Sequence, residues 1–151
     1  MNWKLRKAEP KDKSAIENLF VLMLQSVYQT EKVQGYEPDY LNKFFNNNNG
    51  SWICVAESEG KIVGYLSIEK YPDYLYLDDF CVDKEHRNLG IGTEFLKEAE
   101  KYAIENNIHQ IRLHVEKSNL NAIGLYQRLG YKIASEEGSR CLMEKYLERC
   151  K

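Results

Sequence analysis

Arg87-Asn88-Leu89-Gly90-Ile91-Gly92 is the stretch whose reading decides the fold. An apolar run, Tyr74-Leu75-Tyr76-Leu77-Asp78-Asp79-Phe80-Cys81-Val82, precedes it, and a helical pattern from Ile91 to about Asn106 follows. Strand, basic glycine-containing turn and helix together offer backbone N–H groups to a phosphate. Glycine lets the backbone come close and adopt φ > 0. The helix N-terminus adds unsatisfied donors and about half a positive charge, and Arg87 adds a fixed cation with several donors. The spacing matches neither G-x-x-x-x-G-K-[ST] nor G-x-G-x-x-G.

Outward from this loop, the chain reads as alternating strands and helices. Trp3 to Lys7 alternates as a short strand, and Pro10 opens a helix to about Tyr28. Ile16, Leu19, Phe20, Met23 and Val27 fall on one apolar stripe of that helix. Glu37 to Phe45 reads as a second, shorter helix with Pro38 in its first turn, and Asn46 to Gly50 as a polar stop. Trp52 to Glu57 and Lys61 to Glu69 form a hairpin across Ser-Glu-Gly. Leu75 to Val82 is the strand before the loop. The helix after it turns Ile91, Phe95, Ala99 and Tyr102 inward. Ile111 to Val115 is a strand with Ile111, Leu113 and Val115 on one face. Leu120 to Leu129 is a helix closed by Gly130, and Tyr131 to Ser135 and Arg140 to Tyr146 are the last strands. The order is α/β with a mixed sheet, and the crossover from Leu75 to Val115 makes its two strands parallel. Ligands of such sheets bind beyond the carboxyl ends of the strands, where Arg87 to Gly92 and Glu116 to Asn119 lie.

Length and composition narrow the classes. The chain has 151 residues, 21 basic against 23 acidic, net charge −2, which fits one domain, residues 1–151. The balance gives no basic excess for nucleic acid or an anionic membrane. No apolar run approaches a membrane span and no signal-peptide pattern opens the chain, so a cytoplasmic location is expected. Cys54, Cys81, Cys141 and Cys150 lack C-x-x-C spacing and read as reduced thiols. His86, His109 and His114 have no ligand spacing, so no metal site is expected.

Arg-x-x-Gly-x-Gly resembles the pyrophosphate loop of the GNAT superfamily of acyl-CoA N-acetyltransferases. Three further features carry the resemblance. Asn119-Leu120-Asn121-Ala122 with Leu125-Tyr126 resembles the family's N-x-x-A-x-x-L-Y, Arg128-Leu129-Gly130-Tyr131 resembles its K/R-x-G-F/Y, and Cys141 to Lys145 resembles its last strand. The resemblance covers about Ile53 to Leu147; residues 1–50 match only in element order. It implies a mixed, mostly antiparallel sheet of about seven strands flanked by about four helices. It implies acetyl-CoA as co-substrate, its pantetheine paired with the strand of Phe80, Cys81 and Val82. The pyrophosphate would rest on Arg87, Asn88, Leu89, Gly90, Ile91 and Gly92 with Thr93 near, and Asn119 would hold the pantetheine arm. It also implies direct attack of a primary amine on the thioester in a ternary complex, with Tyr126 as general acid.

An alkyl ammonium near pKa 10.4 must lose a proton before it attacks, so a base is needed. His114 lies twelve residues before Tyr126, where ribosomal-protein alanine N-acetyltransferases carry a Glu base, and its ordinary pKa range suits the task. Asp78 is the rival: Tyr76-Leu77-Asp78-Asp79-Phe80-Cys81-Val82 resembles the Y-L-E-D-F-x-V of spermidine/spermine N-acetyltransferases, and Ser135-Glu136-Glu137-Gly138 resembles that subfamily near its end. Alternation sets Asp78 and Asp79 on opposite faces of the strand. Asp78, Asp79, Tyr28 and Tyr36 are the expected contacts of a small cationic amine or polyamine, with Tyr71, Tyr74, Glu31 and Glu37 as further pocket candidates. A protein N-terminus or an antibiotic is the alternative acceptor, and a non-catalytic acyl-CoA-binding sensor the alternative role. Partners are expected to be a small-molecule amine and a second copy in a homodimer, without nucleic acid or membrane.

Overall fold

The structure is a computed structural model that describes residues 2–46 and 49–148; Cys150 lies outside them. Seven strands run in the order β1-β2-β3-β4-β5-β7-β6. They are β1 (Trp3–Lys7), β2 (Trp52–Ser58), β3 (Lys61–Lys70), β4 (Leu75–Val82), β5 (Gln110–Glu116), β6 (Lys132–Glu137) and β7 (Arg140–Tyr146). Three α-helices accompany them, α1 (Lys13–Tyr28), α2 (Ile91–Glu105) and α3 (Leu120–Arg128). The chain divides into two compact units, residues 1–68 with 79–96 and residues 69–78 with 97–151. β4 therefore contributes its first half to one unit and its second half to the other.

In the first unit, β1 and β2 pair antiparallel from Trp3↔Ser58 to Lys7↔Cys54. β2 and β3 pair antiparallel through a tight turn in which Glu59 (φ 52°) and Gly60 (φ 78°) are both left-handed, the twist a two-residue hairpin needs. Gly64 of β3 is required for another reason: a Cβ there would stand 2.9 Å from the Cys81 carbonyl oxygen. The core joins Ile16, Leu41, Phe44, Ile53, Val55, Ile62, Tyr65 and Cys81, with Leu19, Phe20 and Met23 of α1 packed against it. Arg6 binds both oxygens of Asp12 at 2.8 and 3.0 Å and also Glu57. Asp12 accepts the Glu9 amide as well, closing the 3₁₀ turn Pro10–Asp12 that leads into α1.

Two expectations for this unit are corrected. Val27 does not join the apolar stripe; it is 57% exposed, because the last turn of α1 runs past the core before Gln29 (φ 53°) ends the helix. The second helix is a 3₁₀ turn, Tyr40–Phe44, entered from a left-handed Asp39 (φ 66°). Leu41 and Phe44 are its buried residues, and a spacing of three fits the three-residue 3₁₀ period as well as a helical one.

In the second unit, β4 and β5 pair in parallel over Leu75–Leu77 with Ile111–Leu113, while β5 pairs antiparallel with β7 from Gln110↔Tyr146 to Glu116↔Arg140. β6 closes on β7 with a shift of register between Ile133 and Ser135. Ile111, Leu113 and Val115 are buried, opposite Lys145, Met143 and Cys141 in turn. Gly130 (φ 97°) follows the end of α3, the left-handed position that glycine fills at low cost. In α2 the buried residues are Ile91, Phe95, Leu96, Ala99 and Ala103; Tyr102 is only partly covered, so the apolar face is wider than expected and turned away from it. Helix number also departs from four: the described residues hold three α-helices and three short 3₁₀ turns. Among those residues no helix is long and apolar enough to cross a membrane.

Candidate active site

The loop after β4 has the geometry its sequence suggests. A 3₁₀ turn, Lys84–His86, precedes Arg87, and His86 Nδ1 lies 3.0 Å from Asp83 Oδ2. Asn88 (φ 64°) and Gly90 (φ 86°) are both left-handed, so the chain reverses direction twice within four residues. The Glu94 amide donates to the Gly90 carbonyl at 3.1 Å, which sets Gly90 at the start of α2. The amides of Ile91, Gly92 and Thr93 therefore have no acceptor within the helix. Open space surrounds the position of a Gly90 Cβ, and Arg87 is exposed with its Nε 3.4 Å from the Val82 carbonyl. An exposed arginine thus stands directly before a helix N-terminus, the arrangement in which helices receive anions in general.

The second half of β4 leads into this turn. Phe80 packs edge-on against Phe95 with ring centroids 5.9 Å apart. Cys81 is 5% exposed, its Sγ lies 3.3 Å from Met23 Sδ, and burial pushes its thiol up to about 12. The cysteine is thus a core hydrophobe with a silent thiol. Asp79 accepts a 2.6 Å hydrogen bond from Tyr36, whose hydroxyl is 2.8 Å from that of fully buried Tyr65. The Tyr36 ring stacks on Phe20 and on Tyr40, at 3.9 and 4.8 Å between centroids. Burial first, and the Asp79 charge second, raise the Tyr36 phenol far above its ordinary value. Tyr28 is the last residue of α1 and is 64% exposed, and Glu31 and Glu37 are exposed.

In the second unit the structure surrounds His114 with two residues that alternation alone did not single out. Its Nδ1 lies 2.5 Å from the Tyr76 hydroxyl, and its Nε2 lies 3.0 Å from Glu137 Oε1. Ser135 donates to the other Glu137 oxygen at 2.9 Å. The Ser135 hydrogen bond, then that of His114, hold the Glu137 carboxyl below the usual carboxylate range. Near Asp78, Tyr71 donates to Glu69 at 2.8 Å, which with burial pushes the Tyr71 phenol up to about 12; the charge of Asp78 adds to the rise. Tyr71 and Tyr74 stack at 4.9 Å, and Arg112 lies 4.0 Å above the Tyr74 ring while pairing with Glu144 at 3.2 Å. Asn119 caps α3, its Oδ1 accepting the Ala122 amide at 3.2 Å. Tyr126 is 7% exposed and its ring lies 5.7 Å from that of Tyr131. Burial pushes the Tyr126 phenol up to about 12, so it is fully protonated at neutral pH.

The missed residues, Tyr76 and Glu137, were each visible in the motifs around Asp78 and Gly138. Only the register Tyr76↔Arg112 and the pairing of β6 with β7 bring them to His114. Among the described residues, no group of three or more His, Cys, Asp or Glu side chains could hold a metal ion.

The same chain is recognisable among known proteins. A model of the acetyltransferase (GNAT) family matches residues 15–131. An uncharacterized N-acetyltransferase of Methanocaldococcus jannaschii is 33% identical over 145 residues, covering 95% of this chain and 83% of that protein. A probable spermine N(1)-acetyltransferase of Bacillus subtilis subsp. natto is 31% identical over 87 residues, covering 52% of this chain and 57% of that protein. The crystal structure of an N-acetyltransferase from Thermoplasma acidophilum in complex with coenzyme A superposes with a TM-score of 0.78 at 19% identity, covering 97% of this chain and 99% of that one. With the R-x-x-G-x-G turn opening α2 and the mixed seven-stranded sheet, these likenesses place the chain in the acetyltransferase (GNAT) family, as an N-acetyltransferase.

Proposed function

We propose that this protein transfers an acetyl group from acetyl-CoA to a primary amine by direct attack in a ternary complex, with a small cationic amine of the polyamine class as acceptor. The observation that carries the first part is the Arg87–Thr93 turn. Two left-handed residues and an exposed arginine stand directly before the helix N-terminus of α2, with open space at the Gly90 Cβ position, and a diphosphate is an anion that such a turn fits. The backbone of Phe80, Cys81 and Val82 is assigned to the pantetheine, with Asn119 holding its arm. The buried phenol of Tyr126 is the proton donor to the leaving thiolate.

The acceptor class rests on the second unit and on one relative. The charge of Asp78 acts on Tyr71, whose ring stacks on Tyr74, and the Tyr74 ring already carries the Arg112 guanidinium; a carboxylate beside rings that take a cation is the chemistry that attracts an alkylammonium. The spermine relative supports the same class. The test is a thiol-release assay with acetyl-CoA and a panel of spermidine, spermine, lysine analogues, aminoglycosides and ribosomal N-terminal peptides. Release with the polyamines is expected. Release with peptides or aminoglycosides alone would move the acceptor to those classes, and no release with any of these amines would overturn the polyamine-class acceptor and favour one outside the panel or a non-catalytic acyl-CoA-binding sensor.

A further inference from the structure

His114 is held at both ends. One ring nitrogen meets the Tyr76 hydroxyl and the other meets Glu137. An imidazole with both nitrogens engaged has no lone pair left to take a proton directly from a substrate amine. It can still pass one along. Tyr76 keeps part of its surface open on β4, and the Glu137 side chain is 49% exposed at the β6–β7 end. The remaining surroundings fit a charge that comes and goes. Arg112, two residues away on the same strand, is already paired with Glu144. Leu142 is the β7 residue opposite His114, and Arg140 opposes both Glu116 and Glu137.

We propose that Tyr76, His114 and Glu137 form a proton wire that deprotonates the acceptor amine on β4 and delivers its proton to solvent beside the β6–β7 turn. The proposal rests on the acetyltransferase reading above. The bound ammonium gives one proton to the Tyr76 oxygen as the Tyr76 hydroxyl proton moves to His114 Nδ1. The imidazolium that forms is held by the Glu137 carboxylate, and its Nε2 proton leaves to water through that contact; between turnovers the imidazole returns to the Nε2–H tautomer by taking a proton from water at Nε2 and giving up its Nδ1 proton through the Tyr76 hydroxyl. The neutral amine nitrogen then attacks the thioester carbonyl, forming C–N and breaking C–S. The departing sulfur takes the proton of Tyr126, which is restored from the second proton of the attacking nitrogen. One proton is released per acetyl transferred, and it leaves through the wire. Tyr76 is the catalytic residue here; His114 and Glu137 act through it.

The arrangement requires His114 to be the Nε2–H tautomer, with Nδ1 accepting from Tyr76, and this gives a readout separate from turnover. In ¹⁵N spectra of the imidazole, the native protein should show Nε2 protonated and Nδ1 bare at neutral pH. Glu137→Gln should weaken that preference without altering acetyl-CoA affinity. In steady-state assays, Tyr76→Phe and His114→Gln should each lower kcat about 10²-fold or more with KM for acetyl-CoA unchanged, and the acidic limb of the pH–rate profile should disappear. Both variants should keep the thermal shift given by acetyl-CoA, which excludes misfolding as the cause. A native Nδ1–H tautomer, or near-native rates in both variants, would overturn the wire while leaving the acetyltransferase reading intact. No thiol release from the wild type with any amine would overturn that reading and the wire with it.

Discussion

Two tyrosine clusters in this protein use a phenol hydrogen bond for opposite ends. In the first unit Tyr36 donates to Asp79 while its ring is stacked between Phe20 and Tyr40, and the next hydroxyl in the chain, Tyr65, is fully buried. In the second, Tyr76 meets His114, and the chain continues to Glu137, whose side chain is half exposed. A phenol-to-carboxylate bond backed by a fully buried hydroxyl is a fastener: desolvation holds the phenol protonated. A bond that ends at solvent is a conduit. What separates them is the group beyond the tyrosine, a buried Tyr65 hydroxyl in one and a half-exposed Glu137 carboxylate, reached through His114, in the other.

The contrast can be broken by exchanging the effects of the two tyrosines. Tyr76→Phe should lower the rate about 10²-fold, equivalent to roughly 2.7 kcal/mol in the barrier, with a small change in unfolding free energy. Tyr36→Phe should do the reverse. It leaves Asp79 and Tyr65 each short of a partner, costing about 1–3 kcal/mol in a urea titration, with the shape of the pH–rate profile retained. Equal rate losses in the two variants would show that both clusters serve the chemistry.

Arg6 and Asp12 offer a second fastener in the first unit. The hydrogen bond from Arg6, opposed by burial, holds the Asp12 carboxyl below the usual carboxylate range. A carboxylate depressed in the folded state stabilises above its unfolded pKa, near 3.9, and that contribution is lost as pH falls through the folded value. Asp12→Asn should therefore cost on the order of 1.5 kcal/mol at pH 7, and the difference from wild type should shrink below about pH 4. A deficit that stayed constant down to pH 3 would place the stabilisation elsewhere.

Two smaller effects sharpen the same division. Gly90→Ala puts a side chain at φ 86°, a strain of about 1 kcal/mol. It should weaken acetyl-CoA binding several-fold in calorimetry, with no change in the pH profile. Glu137→Gln should cut kcat only about threefold, because water can take over the final transfer at an exposed end. A loss as large as that of Tyr76→Phe would make the carboxylate part of the chemistry.

Local elements were legible where one short-range rule governed them. β4, the α2 start and the loop between them follow from an apolar run, two glycines and an arginine in adjacent positions. α3 follows from its closing Gly130, and the structure adds Asn119 as its cap. The second helix failed because Leu41 and Phe44, three apart, satisfy both a 3₁₀ turn and an α-helix, and the left-handed Asp39 that decides between them carries no signal of its own. Val27 failed because periodicity reports which face a residue is on and not how far the core extends beneath it.

The chain by itself determined the R-x-x-G-x-G turn, its family and the residue types available for acid and base work, because these depend on neighbours within a few positions. Only the tertiary structure decided which of those residues act together. Thirty-eight residues separate Tyr76 from His114, and twenty-three separate His114 from Glu137. Their meeting depends on a parallel register set by the pairing of Leu75 with Ile111 and on an antiparallel one set by β7. Side-chain alternation is blind to register, since a slip of one residue preserves every local propensity while turning each side chain to the other face.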